Sequence, residues 1–253
     1  MQLKVKYFDV HCHLHEGELF HELEAILIRA RANKVNIIAV SMDLTSSKST
    51  LDITRQYDDV YAAVGLHPWN VKTPSQVKLI GNLLQENQDE ITAIGEVGLD
   101  HTFVKDPRLW IDQEFALEQL IALSKEFSLP LITHGKGFET GLVEYLIGHE
   151  AEDVVLHWFG GSETAIKSAL KAGYYFSITP AVLFQKKLRK VVELAPLDRL
   201  MLESDGPVRY NKLLGEPSIV SLVASEIARI KKVSEEMIAR TTTKTAKQFF
   251  RIS

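Results

Sequence analysis

The feature that most constrains this chain is the alternation of eight short β-branched or aromatic runs with longer helical patterns. The runs are Val5–Val10, Val35–Val40, Val60–Gly65, Ile91–Gly95, Leu131–Thr133, Val154–Leu156, Tyr174–Ile178 and Leu200–Leu202. Several are almost continuously apolar, as parallel strands covered on both faces must be. Between them lie helical patterns at Glu18–Ala32, Pro74–Glu86, Asp112–Phe127, Gly141–Ile147, Ser162–Lys171 and Gln185–Leu194. Ser218–Ile230 follows the eighth run, and Ser234–Arg240 and Thr245–Phe250 read as two short helices. Around Asp112–Phe127, the residues Ile111, Phe115, Leu117, Leu120, Ile121 and Leu123 form a broad apolar stripe.

Eight strands separated by helices fit an α/β fold of one kind: a closed (β/α)8 TIM barrel whose active site lies at the C-terminal ends of the strands. Such a barrel takes about 250 residues, so residues 1–253 read as one domain. An open doubly wound sheet is the alternative, but no GxGxxG or GxxxxGK[ST] supports a nucleotide fold. A composition with 45% hydrophobic and 25% charged residues is that of a globular protein and excludes a disordered one.

Charge and cysteine content narrow the class. The 29 Lys and Arg against 33 Asp and Glu give a net charge of −4, so any contact with phosphate must be local. Cys12 stands alone, which excludes an internal disulfide framework and a CxxC zinc site and suits a reducing compartment. Met1–Lys6 runs into an apolar strand with no h-region, and the uncharged stretch Ala172–Gln185 is shorter than the roughly 18 apolar residues of a membrane span. A cytoplasmic protein with no membrane association is expected, and no obligate protein partner is indicated.

The placement of His, Asp and Glu carries the functional signal. Asp9, His11 and His13 form Asp-x-His-x-His at the end of the first run, where residues two apart share a side. Glu96, His134 and His157 directly follow the fourth, fifth and sixth runs, and Asp205 lies just past the eighth. In a barrel these ends share one face. Imidazoles mixed with carboxylates suit zinc, and carboxylates with water also suit magnesium or manganese.

The same residues carry a family likeness. Phe8–His13, Gly65–Leu66–His67–Pro68, Gly95–Glu96–Val97–Gly98–Leu99–Asp100 and Leu202–Glu203–Ser204–Asp205 occur in order. Together they resemble the TatD family of metal-dependent deoxyribonucleases within the amidohydrolase-like barrels, from Tyr7 to Phe250. The resemblance implies two divalent cations, one held by His11, His13 and Asp205, the other by His134 and His157, with Glu96 bridging them. Glu96 stands where related amidohydrolases place a carboxylated lysine, which favours the TatD branch.

Three positions depart from the family pattern. Lys136 replaces a common arginine, which keeps the charge but loses the bidentate fork for phosphate. His101 replaces an aromatic Tyr or Phe, and Gly206–Pro207–Val208 stands where Ala-Pro-Tyr is frequent.

The implied reaction is hydrolysis of a phosphodiester, most simply in DNA, by a water activated between the two ions. Asp205 is the expected proton acceptor, Lys136 and His67 the expected neutralisers of charge on the non-bridging oxygens, and Glu203 and Asp100 the orienters of ligands. The alternative is a hydrolase of a small lactone, amide or phosphoester using the same site, because barrel loops change chemistry readily.

Other residues read as ordinary. His15 is expected to be a solvated loop histidine and Cys12 a buried thiol pointing away from the metals; His21 and His149 have no assigned role. Trp69, Trp158 and Phe159 either stack on a base or pack the wall. Trp110 packs at a helix start. Lys186, Lys187, Arg189 and Lys190 form a solvated helix face, with a phosphate track as the other reading.

Overall fold

A computed structural model describes residues 6–73 and 75–252. Eight parallel strands run in sequence order around one sheet. They are Tyr7–Cys12 (β1), Val35–Val40 (β2), Val60–Val64 (β3), Ile91–Asp100 (β4), Leu131–Lys136 (β5), Val154–His157 (β6), Tyr175–Ile178 (β7) and Leu200–Leu202 (β8). The expected strand start at Val5 and helix start at Pro74 lie outside the described residues.

The seam between β1 and β8 is closed just beyond β8. His13 N–H donates to the Gly206 carbonyl at 2.8 Å and Asp205 N–H to the His11 carbonyl at 2.9 Å. The buried Asp9 carboxylate ties the same seam, accepting from Ser204 N–H at 2.8 Å and Ser204 Oγ at 2.6 Å. Asp9 thus joins strands instead of pointing at the ligand cluster. The result is a (β/α)8 barrel.

Side-chain alternation splits the apolar residues into two layers. Phe8, Val10, Ile38, Val40, Ala63, Ala93, Ile132, Val155 and Met201 fill the barrel interior, with Ala246, Phe249 and Phe250 packed against them. Tyr7, Ile37, Ala62, Ile94, Leu131, Val154 and Leu202 face the surrounding helices. Three register shifts interrupt the ladders, one at Ala62–Ala63 where β3 pairs with the start of β4, and two beside the ligands, between Asp9 and Cys12 and between Ile94 and Val97. Each of the two beside the ligands inserts a residue where a functional side chain must turn inward. Val10 therefore lines the interior while Cys12 joins the helix-facing layer, buried as expected.

The helices are Gly17–His21 (α1), Leu23–Ala32 (α2), Leu44–Thr54 (α3), Ser75–Glu86 (α4), Pro107–Phe127 (α5), Glu139–Gly148 (α6), Glu163–Lys171 (α7), Lys186–Leu194 (α8), Val220–Lys231 (α9) and Glu235–Phe249 (α10). Four expectations need correction. The single helix Glu18–Ala32 breaks at Glu22. α3 was not expected, because its sequence is Ser/Thr-rich; a capping box between Asp43 and Ser46 starts it. The two terminal helices are one, running through buried Thr242 and Thr243. In α5, Ile111 and Phe115 are 69% and 48% exposed, so the buried stripe is Gln113, Ala116, Leu117, Leu120, Ile121 and Ser124.

Candidate metal centre

All six expected ligands are buried, and each sits in the C-terminal half of its strand or just beyond it. β4 does not stop at Gly95 but continues through Glu96 to Asp100. Close backbone approach explains the glycines around Glu96. A Cβ on Gly65 would lie 2.6 Å from the Gly95 carbonyl carbon. Gly98, at φ +145°, would drive a Cβ to 2.0 Å from the His134 carbonyl oxygen.

Glu96 stands at the centre, with its two oxygens facing different imidazoles. Oε2 lies 3.3 Å from His11 Nε2 and 3.4 Å from His13 Nε2. Oε1 lies 2.7 Å from His134 Nδ1, 3.5 Å from His67 Nε2 and 4.0 Å from His157 Nε2. Asp205 also divides its oxygens: Oδ1 is 3.7 and 3.8 Å from His11 and His13 Nε2, and Oδ2 is 3.7 Å from His157 Nε2.

These atoms fall into groups suited to cations. His11, His13 and Asp205 form one, His11, Glu96 and His157 another, and His67, Glu96 and His134 a third. The expected pairing of His134 with His157 is therefore looser than the pairing of His134 with His67. Ligand atoms about 2.0–2.1 Å from one tetrahedral ion stand roughly 3.3 Å apart. The His11–His13 separation of 3.1 Å between Nε2 atoms and the Glu96 distances above match that edge.

Neighbouring hydrogen bonds decide which ring nitrogens face the pocket. His13 Nδ1 donates to the Val40 carbonyl at 3.0 Å, which turns Nε2 toward the carboxylates. Burial opposes a charge on the ring, but Glu96 and Asp205 raise it to about 9, so ligation displaces the Nε2 proton. His134 Nε2 donates to Asp100 Oδ2 at 2.8 Å, leaving Nδ1 for the pocket. His67 is the opposite case. Its Nδ1 accepts Trp69 N–H at 3.1 Å, so in the neutral ring Nε2 carries a proton toward the pocket. His134 Nδ1 meets the Glu96 carboxylate at 2.7 Å as a proton donor, so both ring nitrogens carry protons and Nδ1 must release its own to ligate; His67 offers an N–H.

The charge balance also fits cations. Burial pushes Asp205 well above the usual carboxylate range, with Glu96 and Glu203 adding repulsion. Burial likewise raises Glu203 to about 7. Glu96 is also disfavoured by burial, but His67 and His11 outweigh that and hold it well below its ordinary value. Burial, reinforced by His157, lowers His11 to about 3, so its ring is neutral and able to ligate. The same carboxylates raise His13 and His134, so protons on these imidazoles meet the acidic charge, and a divalent ion would take the place of those protons. The donor set fits metal.

Around the centre, Asp100 accepts Trp69 Nε1–H at 2.8 Å, Thr102 N–H at 2.8 Å and Phe103 N–H at 2.6 Å in addition to His134. Glu203 Oε2 lies 2.9 Å from His157 Nδ1, against the side of the ring that faces away from Glu96 and Asp205. Lys136 Nζ sits 3.8 Å from the centre of the Trp158 ring. Burial lowers the Lys136 ammonium from its ordinary range, with Asp205 opposing.

The remaining candidates separate cleanly. Phe159 is buried against Phe176, as wall packing. Trp110 lies in the first turn of α5, stacked on His101 with ring centres 3.9 Å apart. Lys186, Lys187 and Lys190 are exposed, and Lys190 and Arg189 pair with Glu163 and Glu226, as a solvated face does. His15 is a correction: it is half-buried, its Nδ1 has no partner, and it groups with His13 and Glu16. The His-x-His-x-His spacing from His11 to His15 was the signal for that. Phe103, in the polar loop after β4, was not singled out from sequence at all.

Comparison with known proteins agrees with this geometry. The model of the TatD-related DNase family matches residues 8–251. The chain belongs to that family. The metal-dependent hydrolase YabD of Bacillus subtilis is 35% identical over 97% of this chain and 99% of its own. The human deoxyribonuclease TATDN3 is 28% identical over 96% of this chain and 93% of its own. The TatD homologue YjjV of Escherichia coli, a crystal structure, superposes with a TM-score of 0.91 over 99% of this chain and 100% of its own, at 24% identity, and so shares the fold. No helix among the described residues is long and apolar enough to cross a membrane.

Proposed function

We propose that this TatD-family hydrolase cleaves phosphodiester bonds in DNA with two divalent cations, zinc, magnesium or manganese. The observation that carries the reading is the divided carboxylate of Glu96, one oxygen toward His11 and His13 and the other toward His134. His11, His13 and Asp205 would hold one cation and His134 and His157 the other, with Glu96 shared. When bound, the pair supplies an acidified water and polarises the phosphate.

The chain's own groups do the rest. Asp205 takes the proton of the attacking water and returns it to the leaving oxygen as the P–O bond breaks. Lys136, held over Trp158, meets one non-bridging oxygen with positive charge. His67 Nε2–H meets another. Glu203 and Asp100 keep His157 and His134 in orientation. The family match and the human relative's deoxyribonuclease name support DNA as substrate.

The test is a panel of substrates offered to metal-reconstituted protein: labelled single-stranded DNA, a generic phosphodiester, a lactone and an amide. Cleavage of the DNA is expected. Cleavage of the lactone or amide alone overturns the reading.

A further inference from the structure

Two aromatic side chains at the pocket mouth lie outside the roles assigned so far. Trp69, in the turn after β3, is 44% exposed, and Phe103, in the loop after β4, is 63% exposed. Large aromatic rings left in water at the rim of a deep polar pocket need a reason beyond packing. Their ring centres are 5.0 Å apart with planes at 66°. Trp69 also lies 4.6 Å from His67 and 6.1 Å from His134, at 73° and 76°. Each ring near Trp69 among these meets it at a steep angle, and none lies parallel to it.

Both residues hang from one carboxylate. Asp100 accepts the Trp69 indole N–H through Oδ2 and the Phe103 backbone N–H through Oδ1, while the same Oδ2 holds His134. The platform is therefore fixed relative to the centre before any substrate arrives. A rigid aromatic pair costs little ordering entropy when a flat ligand stacks on it. Trp69 stands 4.6 Å from His67, the residue proposed to meet a non-bridging oxygen, so a nucleoside attached to that phosphate is within reach of the pair.

We infer that Trp69 and Phe103 form a stacking subsite for an unpaired nucleobase next to the scissile phosphate. The inference rests on the phosphodiesterase reading and deepens it, because a base can stack here only when it is not paired in a duplex. Stacking on an aromatic tolerates sequence, since every base offers a flat face. The subsite selects single strands, frayed ends or flipped bases without selecting sequence.

Two oligonucleotides separate the possibilities. Oligothymidine carries planar bases; the same chain built from 5,6-dihydrothymidine keeps the phosphates and hydrogen-bonding groups but has puckered, non-aromatic rings. The metal-loaded wild type should show a KM for the planar oligomer about 5- to 100-fold lower than for the puckered one. In Phe103→Ala and Trp69→Ala that ratio should shrink toward one. Trp69→Phe keeps a ring but loses the N–H to Asp100, so it should lower kcat while retaining most of the ratio. Tryptophan fluorescence gives a readout independent of turnover: the planar oligomer should quench it in wild type and much less in Trp69→Phe.

Equal KM values for the two oligomers in wild type overturn the subsite while leaving DNA cleavage standing. Hydrolysis of a lactone or amide with neither oligomer cut overturns the phosphodiesterase reading itself.

Discussion

Asp100 accepts the Nε2–H of His134 at 2.8 Å, and that single contact decides which nitrogen of His134 faces Glu96. Burial alone would raise Asp100; the hydrogen bonds from His134, Phe103 N–H and Trp69 more than reverse it, so the carboxyl stays ionised well below its usual range. The buried aspartate acts on the candidate metal centre through the ring it holds.

Replacing it with asparagine tests that coupling. Asp100→Asn keeps the shape but removes the charge and frees the tautomer of His134. Divalent-cation affinity of the dialysed protein, measured by calorimetric titration, should fall about 10- to 100-fold with the circular dichroism spectrum unchanged. An unaltered isotherm would show that His134 needs no such orientation.

Glu96→Ala should be more severe. It removes the carboxylate common to the His11–His157 and His67–His134 groups. Metal content measured by elemental analysis should collapse together with turnover. Full activity in this variant contradicts the shared-ligand role.

How far the sequence could be read follows from what each signal measures. The strands and ligands were legible because apolar runs mark buried parallel strands and His, Glu and Asp fell at their ends. The register shifts at Asp9–Cys12 and Ile94–Val97 were not, since an inserted residue leaves the apolar pattern of a doubly buried strand unchanged. α3 stayed hidden because Leu44–Thr54 relies on a Ser/Thr-rich face and a cap instead of an apolar stripe. The stacking platform was half visible: Trp69 stood beside a marked motif, whereas Phe103 depends on a backbone N–H reaching Asp100 across a turn.

α5 supplies a stability test of the corrected stripe. Leu117 is buried and Ile111 is 69% exposed, although the broad apolar stripe read from the sequence included both. Leu117→Ala should cost about 2–5 kcal/mol, and Ile111→Ala should stay within about 0.5 kcal/mol. Urea unfolding of both variants distinguishes the two faces. Equal losses would mean that Ile111 is covered in solution.

Phe250, 3% exposed, packs with Phe249 against the barrel interior. Phe250→Ala should destabilise by about 3–5 kcal/mol. Because Phe250 and the ligand cluster are at separate places in the barrel, metal affinity at 25 °C should hold while the urea midpoint drops. Loss of metal binding in a still-folded variant would show that the two are coupled.

A pH-dependent contribution to stability comes from Arg29 and Glu216, which join α2 to the segment leading into α9. The guanidinium reaches the carboxylate through Nε at 3.0 and 3.1 Å and through a terminal nitrogen at 2.6 Å. Burial disfavours the charged Glu216, but Arg29 and the Ser218 hydroxyl outweigh it, so the folded carboxyl titrates below its ordinary value. A lowered folded pKa means that the unfolded chain takes up the proton first as pH falls. The stabilisation is complete above the ordinary glutamate range near 4.3 and disappears as pH drops through the lower folded value. Because the Arg29 side chain is 42% exposed, solvent screening limits the pair to about 1 kcal/mol. Glu216→Gln should therefore lower Tm by roughly 2–4 °C at pH 7. The gap to wild type should close as the medium is acidified below the glutamate range. A gap that stays constant between pH 7 and pH 3 would show that the ionised pair contributes nothing and that packing alone carries the difference.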